Sequence, residues 1–261
     1  MKIGVIGKGN VGSAVYEGFK QLGRHVSYYD KKDSETSISS VVDTDITFIC
    51  VPTNSDADGS CDTSIVAQAV DELASAGYQR IVAIKSTVIP GTTEQLIVKY
   101  PDLRICFVPE FLREKSALID FVDNHDVLVV GTHDRSIYDV LVECHDYLPK
   151  NRVCVTPTEA ELVKYFSNVY NSLRVTFANG MFEVCEQLGA DYQKVFNAGI
   201  LRSTIAPEYL RCSQFLRGFS GHCLPKDSQA FALLVKQLGL DHIKLFDAII
   251  EDNKHHVKAQ K

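Results

Sequence analysis

A short apolar run, Lys2-Ile3-Gly4-Val5-Ile6, opens directly onto Gly7-Lys8-Gly9-Asn10-Val11-Gly12, and a helix-forming stretch over 13–22 follows, stopped by Gly23. No other feature limits the possible folds as much. In a strand–turn–helix unit the first glycine permits a tight turn and the second lets backbone approach a bound group. The third allows the helix to pack on the sheet, and the helix N-terminus offers N–H groups to an anion. GxGxxG alone is a weak signal. Here a second strand over 25–29 ends in Asp30, at about the 20-residue distance where a carboxylate meets the ribose of a bound dinucleotide. Gly7, Gly9, Asn10, Val11, Gly12 and Asp30 therefore read as an NAD-binding set; Lys31 and Lys32 could tolerate a 2′-phosphate, so NADP stays open.

Further apolar runs at 46–51, 81–84, 105–108 and 127–130 alternate with helical stretches near 63–76, 93–98 and 136–147, with 153–155 as a last strand. Such alternation predicts an α/β fold, a Rossmann-type doubly wound parallel sheet. Ligands in these sheets sit at the carboxyl ends of the strands. Standing there are Val51-Pro52-Thr53, the run from Lys85-Ser86-Thr87 to Thr92, and Pro109-Glu110-Phe111-Leu112-Arg113-Glu114. Taken singly these are ordinary loop or capping chemistry, with Thr87 and Thr92 as cap candidates. Three at one sheet edge argue for a site.

The first domain is read as 1–156 and a mainly helical domain as 157–261. Thr158 followed by Glu161 has capping-box spacing, and a helical pattern continues over 159–188. Lys164 and Asn168 stand four apart on it, a spacing that by itself reads as a solvated helix face. Val163, Phe166, Val169, Tyr170, Leu173 and Phe177 recur at three- and four-residue steps, more apolar face than one thin domain covers, and a homodimer is expected. Gly180 has no local explanation.

A second glycine-rich run, Gly218-Phe219-Ser220-Gly221-His222-Cys223-Leu224-Pro225-Lys226-Asp227, leads into a helix predicted over 227–238. Pro225 suits a first turn, and Cys223 beside a helix N-terminus is a site that favours thiolate. The competing reading is a small buried cysteine in a turn. Eight cysteines form no CxxC pair and no Cys/His zinc spacing, so reduced thiols and no metal are expected. A net charge of −6 argues against nucleic acid, no run is long enough to span a bilayer, and a cytoplasmic location without a membrane partner is expected.

Taken together, GKGNVG, VPT, KSTVIPGT, PEFLRE, the Lys164/Asn168 pair and GHCLPKD resemble the UDP-glucose/GDP-mannose dehydrogenase family, in order and approximate spacing over nearly the whole chain. The resemblance implies a four-electron, NAD-dependent oxidation of a nucleotide-sugar C6 alcohol. It implies Cys223 as nucleophile, Lys164 and Asn168 as oxyanion stabilisers, Asp227 and Thr87 as holders of a water, and Glu110 as an acid/base. Val51, Pro52, Thr53, Ser86, Thr87 and Glu114 would contact cofactor; Phe111, Leu112, Arg113, Lys164, Asn168, Phe219 and Gly221 would contact substrate. Family members continue past a linking helix into a third, nucleotide-binding domain, so the resemblance covers the N-terminal and central domains. The alternatives are a two-electron hydroxyacid or alcohol dehydrogenase of similar architecture, and a non-catalytic NAD-binding module.

Overall fold

The computed structural model describes residues 1–56, 58–113, 116–146 and 148–259. Its strands are β1 (Lys2–Ile6), β2 (His25–Tyr29), β3 (Ile46–Ile49), β4 (Ile81–Ile84), β5 (Arg104–Phe107), β6 (Val127–Gly131) and β7 (Asn151–Val155), in one sheet of order β2-β1-β3-β4-β5-β6-β7. The first five run parallel, joined by helices α1 (Asn10–Gln21), α2 (Ser64–Ser75) and α3 (Thr92–Lys99). The order reverses between β1 and β3, the switch point at which open α/β sheets bind ligands. One expectation is corrected at the far edge: β6 meets β5 antiparallel, through Phe107 and Gly131, and β7 then runs parallel to β6. The intervening α4 (Ala117–Val122) has six residues, ~9 Å of helix, and the chain enters β6 from the end at which it left β5.

The chain separates into two compact units, residues 1–54 with 62–164 and residues 55–61 with 165–261. In the first unit both sheet faces are buried, which is why its inner strands are uninterrupted apolar runs. One face carries Ile3, Val5, Phe48 and Ala83 against Val15 and Phe19 of α1, Phe121 of α4 and Leu141 of α5 (Arg135–His145). The other carries Ile49, Val82 and Ile84 against Val70 and Leu73 of α2, Leu96 of α3 and Ala160 of α6 (Pro157–Gln187). The second unit consists of the continuation of α6, then α7 (Tyr192–Gly199), α8 (Cys223–Gln237) and α9 (Leu245–Lys258). Tyr165 stacks on Phe231, which meets Phe246 edge-on at 4.9 Å. No described helix is long and apolar enough to cross a membrane.

Three local expectations change. The capping box is not Thr158/Glu161 but Thr156/Glu159, in which the Thr156 N–H donates to Glu159 Oε2 at 2.7 Å and the Glu159 N–H to Thr156 Oγ1 at 3.4 Å. Pro157 between them is the first helical residue, where its missing N–H costs nothing. Thr92 does not cap α3; Gly91 does, at φ +97°, and the Thr92 hydroxyl donates to Ile89 O. Helix α8 starts at Cys223 rather than at Asp227, with Pro225 inside its first turn.

Two histidines of the first unit, His145 buried beside Phe19 and His125 half-buried beside Phe121, pack among aromatic rings. His145 donates from Nδ1 to Leu141 O at 2.7 Å, and its Nε2, like Nδ1 of His125, has no hydrogen-bond partner among the described residues. Burial, with the nearby Lys85 charge adding to it, pushes His145 down to about 3 and His125 to about 4. In the unfolded chain both titrate near ~6.5. Stability is therefore full above that pH and falls as acid protonates the unfolded state ahead of the native one. His145→Phe is expected to lessen the loss of stability between pH 7 and pH 5 by about 2 kcal/mol, measured by urea unfolding at the two pH values; an unchanged difference refutes this.

Candidate active site

In the first unit, the loop after β1 is shaped by its glycines. Gly7 has φ +86°, and a Cβ there would lie 2.8 Å from Cys50 O, so the loop rests on the end of β3. A Cβ on Gly12 would stand 1.8 Å from Gly7 O, which makes glycine obligatory where α1 leaves the turn. A Cβ on Gly9 would meet nothing within 4 Å, so the outer face of the loop is open to a ligand. Asn10 and Val11 begin α1, whose N-cap is Gly9. Asp30 at the end of β2 accepts from the Lys8 N–H at 2.6 Å and the Lys32 N–H at 2.9 Å, which fixes its carboxylate beside the glycine turn. Open backbone, a helix N-terminus and a held carboxylate together fit a dinucleotide.

The neighbouring strand ends complete this edge. The Ser86 hydroxyl donates to Val51 O at 2.7 Å, joining the exits of β3 and β4; Pro52 and Thr53 follow Val51, and Thr87, half-buried, follows Ser86. The loop from β4 is held again at Gly91 and Thr93, whose N–H groups donate to the Glu161 carboxylate at 2.5 and 2.8 Å. After β5, Glu110 is 7% exposed and Lys164 of α6 4% exposed, so the reading of Lys164 as a solvated surface residue is corrected. Lys164 Nζ donates to Glu110 O at 2.6 Å and to Oε1 at 2.9 Å, while Oε2 accepts from the Leu112 N–H at 2.7 Å. Burial pushes the Glu110 carboxyl up, but the Lys164 charge and its hydrogen bond, with the Leu112 amide, outweigh it and hold the group below its ordinary range. The Phe111 ring lies 5.7 Å from Lys164 Nζ. Arg113 is exposed and gripped by Asp120 through its backbone N–H, Nε and Nη2. Glu114, and the neighbouring Lys115, lie outside the described residues.

In the second unit, Asn168 and Asp227 are buried together, the Asn168 amide donating to Asp227 Oδ2 at 2.6 Å. The solvated reading therefore fails for Asn168 as well. Lys226 Nζ stands 2.7 Å from Asp227 Oδ1 and 3.9 Å from Cys61 Sγ. Cys223, one helical turn before Asp227, is the exposed cysteine among the eight and the first residue of α8. The buried-turn reading of Cys223 is thereby excluded. The loop that delivers it is anchored by two asparagines. Asn253 of α9 accepts from the Phe219 N–H at 2.7 Å and returns an N–H to Phe219 O at 2.9 Å. Asn179 of α6 accepts from Arg217 Nε and the Gly218 N–H, and the Arg217 guanidinium also pairs with Glu183. Gly221, at φ +85°, has nothing within 4 Å of where a Cβ would stand.

Among the described residues no group of three His, Cys, Asp or Glu could hold a metal ion. Asp120, Asn179 and Asn253 were not singled out from sequence; Asn179 and Asn253 stand 39 and 34 residues from the backbone they hold, which leaves no spacing signal, whereas Asp120 is only seven from Arg113. Lys226, next to Asp227 in the sequence, reads as a residue that fixes Asp227 or an anionic ligand, and it does stand against Asp227; Cys61 carried no signal beyond being one of eight thiols.

Two family models match: "UDP-glucose/GDP-mannose dehydrogenase family, NAD binding domain" over residues 33–149 and the central domain of the same family over residues 158–255. The UDP-glucose 6-dehydrogenase of Rickettsia bellii is 32% identical over 219 residues, covering 81% of this chain and 49% of that protein. The GDP-mannose 6-dehydrogenase of Pseudomonas aeruginosa is 29% identical over 234 residues, 84% of this chain and 52% of that protein. The chain thus spans about half the length of the curated relatives it matches. A solved UDP-glucose dehydrogenase from Pyrobaculum islandicum superposes with a TM-score of 0.90 at 31% identity, covering 97% of this chain and 68% of that one. On the two family models and this solved relative, the chain belongs to the UDP-glucose/GDP-mannose dehydrogenase family.

Proposed function

We propose that this chain carries the NAD-binding and catalytic parts of a nucleotide-sugar dehydrogenase that oxidises a sugar C6 alcohol to the acid. The observation that carries the reading is Cys223, exposed at the first position of α8 and one turn before a buried Asp227 bound by Asn168. The first turn of a helix is where a thiolate is favoured. The overall change is one alcohol, two NAD⁺ and one water to one carboxylate, two NADH and three protons. NAD supplies the hydride acceptor for each of the two oxidations. Cys223 adds to the aldehyde carbon, so the half-oxidised sugar stays attached; after the second oxidation the resulting thioester is cleaved by water. Lys164 and Asn168 offer an ammonium and an amide to negative charge on the substrate oxygen. Glu110, held ionised, is suited to accept a proton, and Asp227 with Thr87 to hold the water.

Gly7, Gly9, Gly12 and Asp30 support NAD, with Asn10, Val11, Val51, Pro52, Thr53, Ser86 and Glu114 as further contacts. Phe111, Leu112, Arg113, Phe219 and Gly221 are proposed to meet the sugar nucleotide. By calorimetry NAD is expected to bind more tightly than NADP, and Gly12→Ala to abolish binding, because its Cβ would stand 1.8 Å from Gly7 O. Tighter binding of NADP, or retained binding by the variant, counts against the site.

Activity is tested by NADH formation against UDP- and GDP-sugars, with two NADH expected per acid released. Cys223→Ser is expected to stop the reaction before the acid, since a serine hydroxyl is too weakly acidic to add without a strong base. Lys164→Ala is expected to slow both oxidations by ~10²–10³. Full turnover to acid by Cys223→Ser would return the chain to two-electron chemistry.

A homodimer through α6 forms part of the same proposal. Phe166, Tyr170, Phe177, Val184 and Leu188 of this helix are all at least half exposed along one stripe. Beside them a groove of about 330 Å³ opens between α6 and α9, lined by Leu173, Phe177, Gly180, Leu245 and Ile249, and Gly180 itself meets nothing within 4 Å of a built Cβ. Light scattering is expected to give twice the chain mass, and Phe166→Glu with Phe177→Glu to give the monomer. A monomeric parent chain at micromolar concentration rules this out.

A further inference from the structure

In the first unit, the short helix that follows the β5 exit, α4, carries a buried carboxylate to which the proposed reaction gives no role. Asp120 is 5% exposed. Its Oδ2 accepts from the Arg113 N–H at 2.9 Å, from Arg113 Nε at 3.0 Å and from the Ser116 hydroxyl at 3.0 Å. Its Oδ1 accepts from Arg113 Nη2 at 2.6 Å and from the Asn124 side-chain amide at 3.2 Å. Arg113 thus meets this carboxylate with backbone and side chain together, although its own side chain is 65% exposed. An ion pair with one partner so open to water contributes little to stability. What it supplies is direction, because the planar fork of a guanidinium meets both oxygens of a carboxylate in a defined geometry.

The residue after Asp120 fixes the helix that presents it. Phe121 is 1% exposed, its ring lies 5.2 Å from that of Phe19, and a Cβ on Gly18 would stand 2.1 Å from Phe121 Cδ1. Helix α4 is therefore seated on α1 at a distance that requires glycine at 18. Successive residues of a helix point about 100° apart, so with Phe121 set into α1, Asp120 is turned to the chain leaving β5. Consecutive amides of that chain go to two carboxylates. The Leu112 N–H donates to Glu110 Oε2, and Glu110 is bound by Lys164 of α6; the Arg113 N–H donates to Asp120 of α4. Phe111 and Leu112 lie between an attachment to α6 and an attachment to α4.

We propose that Asp120 is a positioning residue: its grip on Arg113 holds the segment 110–113 so that Glu110 faces Lys164 while Phe111 and Leu112 are presented to the sugar nucleotide. The assignment rests on the reading of this segment as the one that meets substrate. Asp120 acts through Arg113 and not on the reacting groups. A segment fixed before substrate arrives loses less freedom on binding, and a small displacement of it would carry the acid/base and the two contacts out of place together.

The test is a double-mutant cycle in the full chain, read by steady-state kinetics with NAD and whichever of UDP-glucose and GDP-mannose the parent chain oxidises. Asp120→Ala is expected to raise KM for the sugar nucleotide by about tenfold or more. In the Arg113→Ala background the same change is expected to raise it by less than about threefold, because the side chain it grips is gone. The affinity for NAD alone, by calorimetry, is expected to stay within about threefold, since coupling is confined to residues in contact. An unchanged KM, an equal rise in both backgrounds, or a matching loss of NAD affinity overturns the proposal, the last because it marks Asp120 as a residue of the fold alone. Should Asp120→Ala fail to fold, Asp120→Asn, of nearly equal volume and without the charge, takes its place in the cycle with the same expectation. Independently of turnover, hydrogen exchange by NMR is expected to show the Arg113 amide exchanging faster by about tenfold or more once its acceptor is removed, and unchanged exchange overturns the proposal. If the parent chain oxidises neither sugar nucleotide, the functional reading falls while the exchange rate continues to judge the grip on Arg113.

Discussion

The buried pair of Lys164 and Glu110 is the contact on which the arrangement of the first unit depends. Removing two charges from water costs several kcal/mol for each ion, and such a pair survives only where every polar atom finds a partner. Here Lys164 Nζ has both Glu110 O and Oε1, and the second carboxylate oxygen has the Leu112 N–H. A well-packed apolar pair of the same volume would stabilise the fold as well or better. What the ion pair supplies is uniqueness: one rotation of α6 about its axis places Lys164 on the exit of β5, and any other strands a charge. Because residues three apart share a helix face, the same rotation carries Glu161 to Gly91 and Thr93.

Glu161 then serves α3, a helix with no capping side chain of its own. The first N–H groups of a helix lack internal partners and carry partial positive charge, so a carboxylate there satisfies donors and complements the dipole. Burial pushes the Glu161 carboxyl up, against the Thr93 hydroxyl and the two backbone amides. The loop carrying Ser86 and Thr87 is tied at one end to β3 through Ser86 and at the other to α6 through Glu161. Close backbone approach completes the docking of α6, since a Cβ on Gly131 would lie 2.6 Å from Ala160 Cβ. The strand-end loops after β4 and β5 are thus held by side chains of an element 70 and 54 residues further along the chain.

That distance explains what was and was not legible in the sequence. The inner strands were legible because both faces are buried and the runs are wholly apolar; β7 was read only at 153–155 because its first residues, Asn151 and Arg152, are exposed and polar. The glycine turn and Asp30 were legible because backbone geometry dictates them locally. Two overlapping T-x-x-E patterns, Thr156/Glu159 and Thr158/Glu161, competed for the start of α6, and Pro157 decides for the first, which releases Glu161 to α3. Lys164 and Asn168 read as surface from spacing because their partners, Glu110 and Asp227, lie 54 and 59 residues away. The motifs named candidate site residues; the partners that bury Lys164 and Asn168 are a property of the fold.

The loop before Cys223 shows how the proposed nucleophile is positioned. Backbone outside regular structure needs partners for its N–H and C=O groups, and a primary amide is suited to this because it donates and accepts at once. Asn253 uses both functions on Phe219, and Asn179 Oδ1 takes two donors, from Arg217 and Gly218. The fit is close enough to require glycine at 218, at φ +62°, where a Cβ would lie 2.7 Å from Val257 Cγ2. Beyond Phe219 the restraint stops: Ser220, Gly221 and His222 are exposed, and α8 begins at the next residue. Conformational freedom is confined to three residues between a clamped backbone and a helix. The backbone leading to Cys223 can therefore adjust without the clamped part of the loop losing its place, which is the balance the proposed covalent step would need when productive geometry tolerates only small displacements.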